Sequence, residues 1–403
     1  MKKKIISVVG ARPNFMKIAP FIRAIEQYNR DSSESQGLGI DHLLVHTGQH
    51  YDISMSQSFF RALNIPDPDI NLEVGSGSHA EQVGNTMIAF EKILNREKPD
   101  WVVLVGDVNA TLACSVTAKK EGVKVCHIEA GLRSGDLSMP EEINRLVTDR
   151  MADLLLTPDR LSNENLRREG VPEDRIVFVG NIMIDTLEAN REQAAALNIE
   201  TICADNLIDE KKSNAFEVVG QNYALMTMHR PSNVDDPRKL GPLVDFLCGE
   251  VAGEMPLIWP IHPRSEKKLK EFGFWEKVLR TNRMIILKPI GYHEMLRLNM
   301  TARLLLTDSG GLQEECTVLG TPCLTLRWNT ERPVTLRENG GTSELVGNDV
   351  ERIRRGYRNA LAGGGKPVRP EFWDGNTAPR CLEAILQAQA ARSVELPFEA
   401  KDV

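Results

Sequence analysis

Short apolar runs recur along the first half of the chain: IISVVG, HLLVHTG, WVVLVGD, KVCHIEA, LLLTP and RIVFVGN. Each is nearly continuous rather than alternating, and each stops at a glycine, a proline or a polar loop. A strand covered on both faces has this signature, because neither side of its pleat meets water. Segments of helical length separate the runs, one beginning near Asn14 and another over 79–96. Strand and helix in alternation predict a doubly wound parallel sheet with helices on both faces.

The rhythm changes after RIVFVGN. MIDTLEANREQAAAL repeats with helical spacing and a polar stretch containing EKKSN follows, so a domain boundary is expected between about Asn181 and Gln221. A second alternation then runs through ALMTMHR, PLIWPIHPR, MIILKPIG, ARLLLTD and PCLTLR. The fold class expected is therefore α/β, with two Rossmann-like doubly wound domains over residues 1–182 and 183–375. A final helix and tail, 376–403, should pack back on the first domain. Two such domains facing across a cleft would hold a substrate and exclude water on closing.

Composition narrows the possible partners. At 403 residues the chain is too long for one core, and a 41% hydrophobic share suffices for two. A formal charge of -7 argues against a general nucleic-acid binder, which carries a basic excess on one face. The seven cysteines are scattered without a CxxC pair and read as reduced core residues. MKKKIISVVG is too short in its apolar part for a leader, and no run approaches the roughly 20 residues of a membrane span. A cytoplasmic protein with no membrane partner is expected.

Most of the candidate chemistry lies between Gly106 and Asp149. Asp107 and Glu129 follow the runs WVVLV and KVCHI, at strand ends where α/β proteins present side chains to ligands. Pro140 suits a first helical position, placing Glu141 and Glu142 in a first turn whose dipole favours acids. Any of these acids could be merely a cap or a helix-start charge. The clustering of Asp107, Glu129 and Glu141 with Arg133, Arg145 and His127 favours a functional reading.

The loop after the first run reads GARPNFMK where a nicotinamide-binding fold would show GxGxxG, so no such cofactor is expected. Arg12 and Lys17 stand there instead, either on solvated surface or contacting a phosphate or carboxylate. In LLLTDSGGLQEE a run ends at Asp308, and Ser309, Gly310 and Gly311 open a helix able to cradle a phosphate. Glu314 and Glu315, one turn on, suit a ribose diol. His229 in MHRPSN can assist a leaving phosphate or be a satisfied structural histidine. His262 in PIHPR repeats the arrangement, and Arg332 in NTERP adds a cation. Histidines and cysteines lack metal-site spacing, so a metal-independent site is expected.

Taken together, GARPxxxK, TGQH, GDxxxTLA, HxEAGLRSGD, PEExNR, HR, DSGGxQEE and TERP resemble the UDP-N-acetylglucosamine 2-epimerase family in order and spacing, over nearly the full length. The resemblance implies the two-domain fold also seen in GT-B glycosyltransferases and a homodimeric, non-hydrolysing enzyme without cofactor. It implies anti elimination of UDP to 2-acetamidoglucal and readdition, with Asp107, Glu129 and Glu141 as acid/base group and His229 assisting departure. Arg12, Lys17, Arg145, Ser309, Gly310, Gly311, Glu315 and Arg332 become contacts of the UDP-sugar, and Met295 stands near the uracil where members often have an aromatic residue.

Bacterial members also bind a second, activating UDP-sugar. Gln49 and His50 match that site and His262 joins them as a candidate, whereas Asp52 replaces a frequent glutamine. TGQHYDxxMS and FFxxLxIPxPD resemble relatives acting on UDP-2,3-diacetamido-2,3-dideoxyglucuronic acid. The rivals are therefore that substrate, a hydrolysing 2-epimerase, a GT-B glycosyltransferase and a non-catalytic sugar-nucleotide sensor.

Overall fold

In a computed structural model, residues 3–33, 39–48, 65–209 and 222–392 are described. The chain divides into two compact units. Unit 1 takes residues up to 132, 137–186 and those from 371; unit 2 takes 133–136 and 187–370.

Unit 1 is built on a parallel sheet of β1 (Lys3–Val9), β2 (Ile40–His46), β3 (Ile70–Asn71), β4 (Trp101–Val105), β5 (Lys124–Ile128), β6 (Leu154–Thr157) and β7 (Ile176–Phe178), in the order 3-2-1-4-5-6-7. The apolar runs became its centre: all five residues of β4 are buried. Register is fixed where β1 lies between β2 and β4, with Ile5 opposite both His42 and Trp101. Helix Thr377–Arg392 contributes to this unit, its first amides Thr377 and Ala378 donating to Asp185 at 3.0 and 2.7 Å.

Unit 2 repeats the plan with β8 (Ala224–Thr227), β9 (Leu257–Pro260), β10 (Met284–Leu287), β11 (Leu304–Thr307), β12 (Cys323–Thr325) and β13 (Ser343–Leu345), ordered 10-9-8-11-12-13. Successive side chains of a strand leave opposite faces, and here both faces are buried. Ala224, Met226, Trp259, Ile286 and Leu306 enter one core, while Leu225, Ile258, Ile285 and Leu305 enter another. That double burial explains why the sequence shows continuous rather than alternating apolar runs.

Strand order reverses between β1 and β4 in unit 1 and between β8 and β11 in unit 2. Loops leaving the carboxyl ends of such strands diverge, one to each face of the sheet, and open a crevice. Lys17 and Asp107 follow β1 and β4; His229 and Ser309 follow β8 and β11. Each sheet thus carries its candidate chemistry at its own switch point.

Candidate functional site

In unit 1 the loop after β1 is pinned to the end of β4. Asn14 accepts from the Ala11 amide at 3.0 Å, and its amide nitrogen donates to the Val105 carbonyl at 2.7 Å. This fixes the start of helix Arg12–Ser33 and carries Lys17 inward, where its ammonium pairs with Glu129. Both are buried, which rules out the solvated-surface reading of Lys17. Gly106 makes the approach possible. A Cβ there would sit 3.0 Å from the Asn14 amide nitrogen and 3.4 Å from the Lys17 ammonium, and its φ of +72° is one glycine adopts freely.

Glu129 has a φ of 71°, rare for a residue with a side chain, and such a conformation costs about 1–3 kcal/mol. With Lys17 on Oε2, its Oε1 is buried and has no hydrogen-bond partner among the described residues. A carboxylate with one oxygen anchored and the other unengaged is arranged for proton exchange.

Asp107 is half-buried and pairs with Arg145. It does not cap the next helix: Val108 occupies the cap position of helix Asn109–Lys120 and no side chain bonds there. Its backbone carbonyl accepts from Asn144 at 2.9 Å. Arg145 also donates to Glu142 through Nε at 3.0 Å and Nη2 at 2.6 Å. Pro140 does open helix Pro140–Met151. In its first turn Glu142 is buried and committed to Arg145, while Glu141 is exposed. Beneath these loops His127 and Asp149 are buried, with Nδ1 and Oδ1 2.6 Å apart.

In unit 2, buried Asp308 organises the loop after β8. It accepts from the His229 amide at 3.0 Å, the Arg230 amide at 2.8 Å and the Asn233 side chain at 3.0 Å, and lies 3.1 Å from His229 Nδ1. Burial raises its pKa, but the bonds from His229 and Arg230 outweigh that and hold it below the usual range. His229 is half-buried and stacks on His262, with ring centroids 5.1 Å apart. His262 caps helix Pro263–Glu271, its Nδ1 accepting from the Arg264 amide at 3.1 Å. Partial desolvation of its ring, and then the proximity of His229, lower its pKa.

Ser309 caps helix Gly310–Leu319 through its backbone, and its side chain makes no capping bond. The first amides of this helix and its dipole suit an anion. At Gly311 an added Cβ would meet open space, whereas at Gly310 it would lie 2.7 Å from both Arg332 Nη1 and Glu331 Oε1. Arg332 is buried and reaches Glu314 at 2.7 Å and Glu331, which in turn holds buried Arg327 at 2.7 Å. Glu315 is buried, and burial pushes its carboxyl up to about 7. Tyr292 and Asn299 face it and partly offset that effect. Met295 packs, half-buried, against the core that includes Ile199 and Leu298.

The structure therefore brings Lys17 to Glu129 and Arg145 to Asp107 in unit 1, and His229, His262 and Asp308 together beside Ser309 in unit 2. Arg12 opens its helix. Gln49 and His50 lie outside the described residues. The partners Glu142, Asn144, Asp149, Glu331 and Arg327 were not singled out as site residues from the sequence; PEExNR and TERP held most of that signal.

Two Rossmann-like units, each with polar chemistry at its sheet's switch point, define an α/β protein of the GT-B class. A family model described as UDP-N-acetylglucosamine 2-epimerase matches residues 33–386. The UDP-N-acetylglucosamine 2-epimerase of Methanocaldococcus jannaschii is 42% identical over 87% of this chain and 90% of its own. The UDP-2,3-diacetamido-2,3-dideoxy-D-glucuronate 2-epimerase of Pseudomonas aeruginosa is 37% identical over 95% of this chain and 99% of its own. A crystal structure of the M. jannaschii enzyme in complex with UDP-GlcNAc and UDP superimposes with a TM-score of 0.81 at 39% identity, covering 96% of this chain and 100% of that one. The chain belongs to the UDP-N-acetylglucosamine 2-epimerase family and is an epimerase.

Proposed function

We infer that the protein interconverts UDP-N-acetylglucosamine and UDP-N-acetylmannosamine without net hydrolysis. A carboxylate removes the proton from sugar C2 while the C1–O bond breaks, its electron pair leaving on the UDP oxygen, to give 2-acetamidoglucal. UDP then adds back at C1 as a proton reaches the opposite face of C2. The C2 proton is only weakly acidic, so the base must be held in place and the departing diphosphate stabilised. Asp107, Glu129 and Glu141 are assigned to proton transfer. His229 assists the leaving group, Ser309, Gly310, Gly311 and Arg332 hold phosphate, and Glu315 faces the ribose.

The observation that carries this reading is Glu129, with one oxygen anchored by buried Lys17 and the other unengaged. The names borne by the M. jannaschii relative and its UDP-GlcNAc complex support the substrate. A second substrate, UDP-2,3-diacetamido-2,3-dideoxyglucuronic acid, is favoured by the P. aeruginosa relative. The reading includes a cytoplasmic homodimer; among the described residues no helix is long and apolar enough to cross a membrane.

Incubation with UDP-N-acetylglucosamine in D2O, followed by NMR, tests it. Deuterium at C2 of intact UDP-sugar and appearance of the manno epimer are expected. Free N-acetylmannosamine accumulating with UDP would replace this reading with the hydrolysing one, and no label or epimer from either UDP-sugar would end it. Light scattering that finds a single 45.0 kDa chain would remove the dimer.

A further inference from the structure

We propose that the buried His127–Asp149 pair is a clamp holding one proton in each of two hydrogen bonds, and that it positions Asp107 and Glu129 for the reaction inferred above. The argument is an inventory of donors. His127 Nε2 lies 2.9 Å from the Gly106 carbonyl, which can only accept. His127 Nδ1 lies 2.6 Å from Asp149 Oδ1, and Asp149 Oδ2 accepts from the Gly131 amide at 3.0 Å. An ordinary neutral imidazole has one N–H and could supply only one of these two contacts. Both distances require a proton, so the pair carries two, whichever atom the second one sits on. With both protons the pair is neutral as a unit, which suits a side chain with no exposed surface.

The ends of the clamp are informative. Gly106 immediately precedes Asp107, and Gly131 follows Glu129 by two residues; their φ values are +72° and +81°. Both are turns where the backbone leaves a strand and could swing. The pair ties the carbonyl of one to the amide of the other across β4 and β5, fixing the spacing of the two loops that carry the acids. It also braces the left-handed conformation of Glu129 between the strand and a fixed Gly131. A Cβ at Gly131 would lie 2.4 Å from the Ser162 carbonyl oxygen, so only glycine fits this turn. His127 and Asp149 act through the Gly106 carbonyl and the Gly131 amide; they are positioning residues.

Asp149→Asn and Asp149→Ala separate placement from charge. Asparagine can still accept from Gly131 and can donate to a bare Nδ1, keeping both contacts with one proton fewer on the pair; alanine keeps neither. The expected result is a fall in kcat of about 100-fold in Asp149→Ala, with KM and UDP affinity within about twofold, and recovery to within about fivefold of wild type in Asp149→Asn. In 15N-histidine-labelled protein, the difference from His127→Gln should reveal two slowly exchanging, low-field ring protons for His127, and Asp149→Asn should retain only the one directed at Gly106. A single ring proton in wild type, an unchanged kcat in Asp149→Ala, or an asparagine variant as poor as the alanine one would each overturn the proposal. The wild-type spectrum needs no turnover or variant stability beyond the His127→Gln reference, and for that reference the histidine resonances can instead be assigned in the intact protein. Failure of the substrate assignment would leave this readout standing.

Discussion

The two units differ in how much of their candidate chemistry is carried by backbone. In unit 1 the acids Asp107 and Glu129 are each bound to a cation on another element, and Glu142 completes the set by holding Arg145. Unit 2 also buries ion pairs, Arg332 with Glu314 and Glu331 and Arg327 with Glu331, but sets beside them backbone donors: amides meeting at Asp308, and the open start of helix Gly310–Leu319. The difference matches the tasks assigned to them. Proton transfer depends on the placement of individual oxygens, which buried ion pairs fix in direction. Holding a diphosphate calls for room and several donors, which glycines and a helix terminus provide without long side chains.

The largest expected effect tests the unit 1 side of that contrast. Glu129→Gln should lower epimerase turnover by about 10³-fold with UDP affinity preserved. Exposed Glu141 makes the sharper comparison: Glu141→Gln should leave the unfolding midpoint unchanged, so any loss of turnover is chemical. Full activity in that variant would remove Glu141 from the acid/base group and leave Asp107 and Glu129.

Glu315 tests the other side. Folded unit 2 keeps its proton up to about 7, whereas the unfolded chain releases it near 4.5. Below about 4.5 both states are protonated and no penalty exists. Between 4.5 and about 7 the folded state binds more protons, so stability falls as pH rises and then levels off. The swing is roughly 3 kcal/mol, and Glu315→Gln should abolish it. Denaturant titrations of both proteins at pH 5 and pH 8 measure this, and parallel losses would show that Glu315 is not the group responsible.

The smallest effect distinguishes two adjacent glycines. Gly311→Ala should fold normally, since its Cβ meets open space, yet weaken UDP about tenfold, near 1.4 kcal/mol, by filling the room above the helix start. Gly310→Ala should instead cost stability by displacing Arg332 and Glu331. Calorimetry of UDP binding alongside thermal unfolding checks the pair, and equal behaviour of the two variants would contradict the assigned geometry.

Much of the architecture was legible because buried parallel strands leave a simple trace: WVVLV is apolar on both faces since both faces are covered. The helix starts at Pro140 and Gly310 were equally plain, each marked by its own local residues. What local pattern could not decide was which of two neighbouring acids turns inward. Glu141 and Glu142 are equivalent as helix-start charges, and only the fold, by placing Arg145 one turn later against Asp107, commits Glu142 to the interior. Lys17 was ambiguous for the same reason, its partner being 112 residues away. No local pattern marked Asp149, because the histidine it serves is on another element.

One feature of unit 1 bears on how the molecule is made. Asp185 receives its two amide bonds from Thr377 and Ala378, 192 and 193 residues further along, and the indole of buried Trp373 donates to the Pro158 carbonyl at 3.0 Å. A ribosome that has produced all seven strands of this sheet has still to translate unit 2 before those partners exist. The segment bearing the candidate acids therefore emerges early and is finished late, with an unsealed flank and the Asp185 carboxylate waiting for its donors throughout. During synthesis unit 2, whose own residues are nearly contiguous, is able to complete itself first.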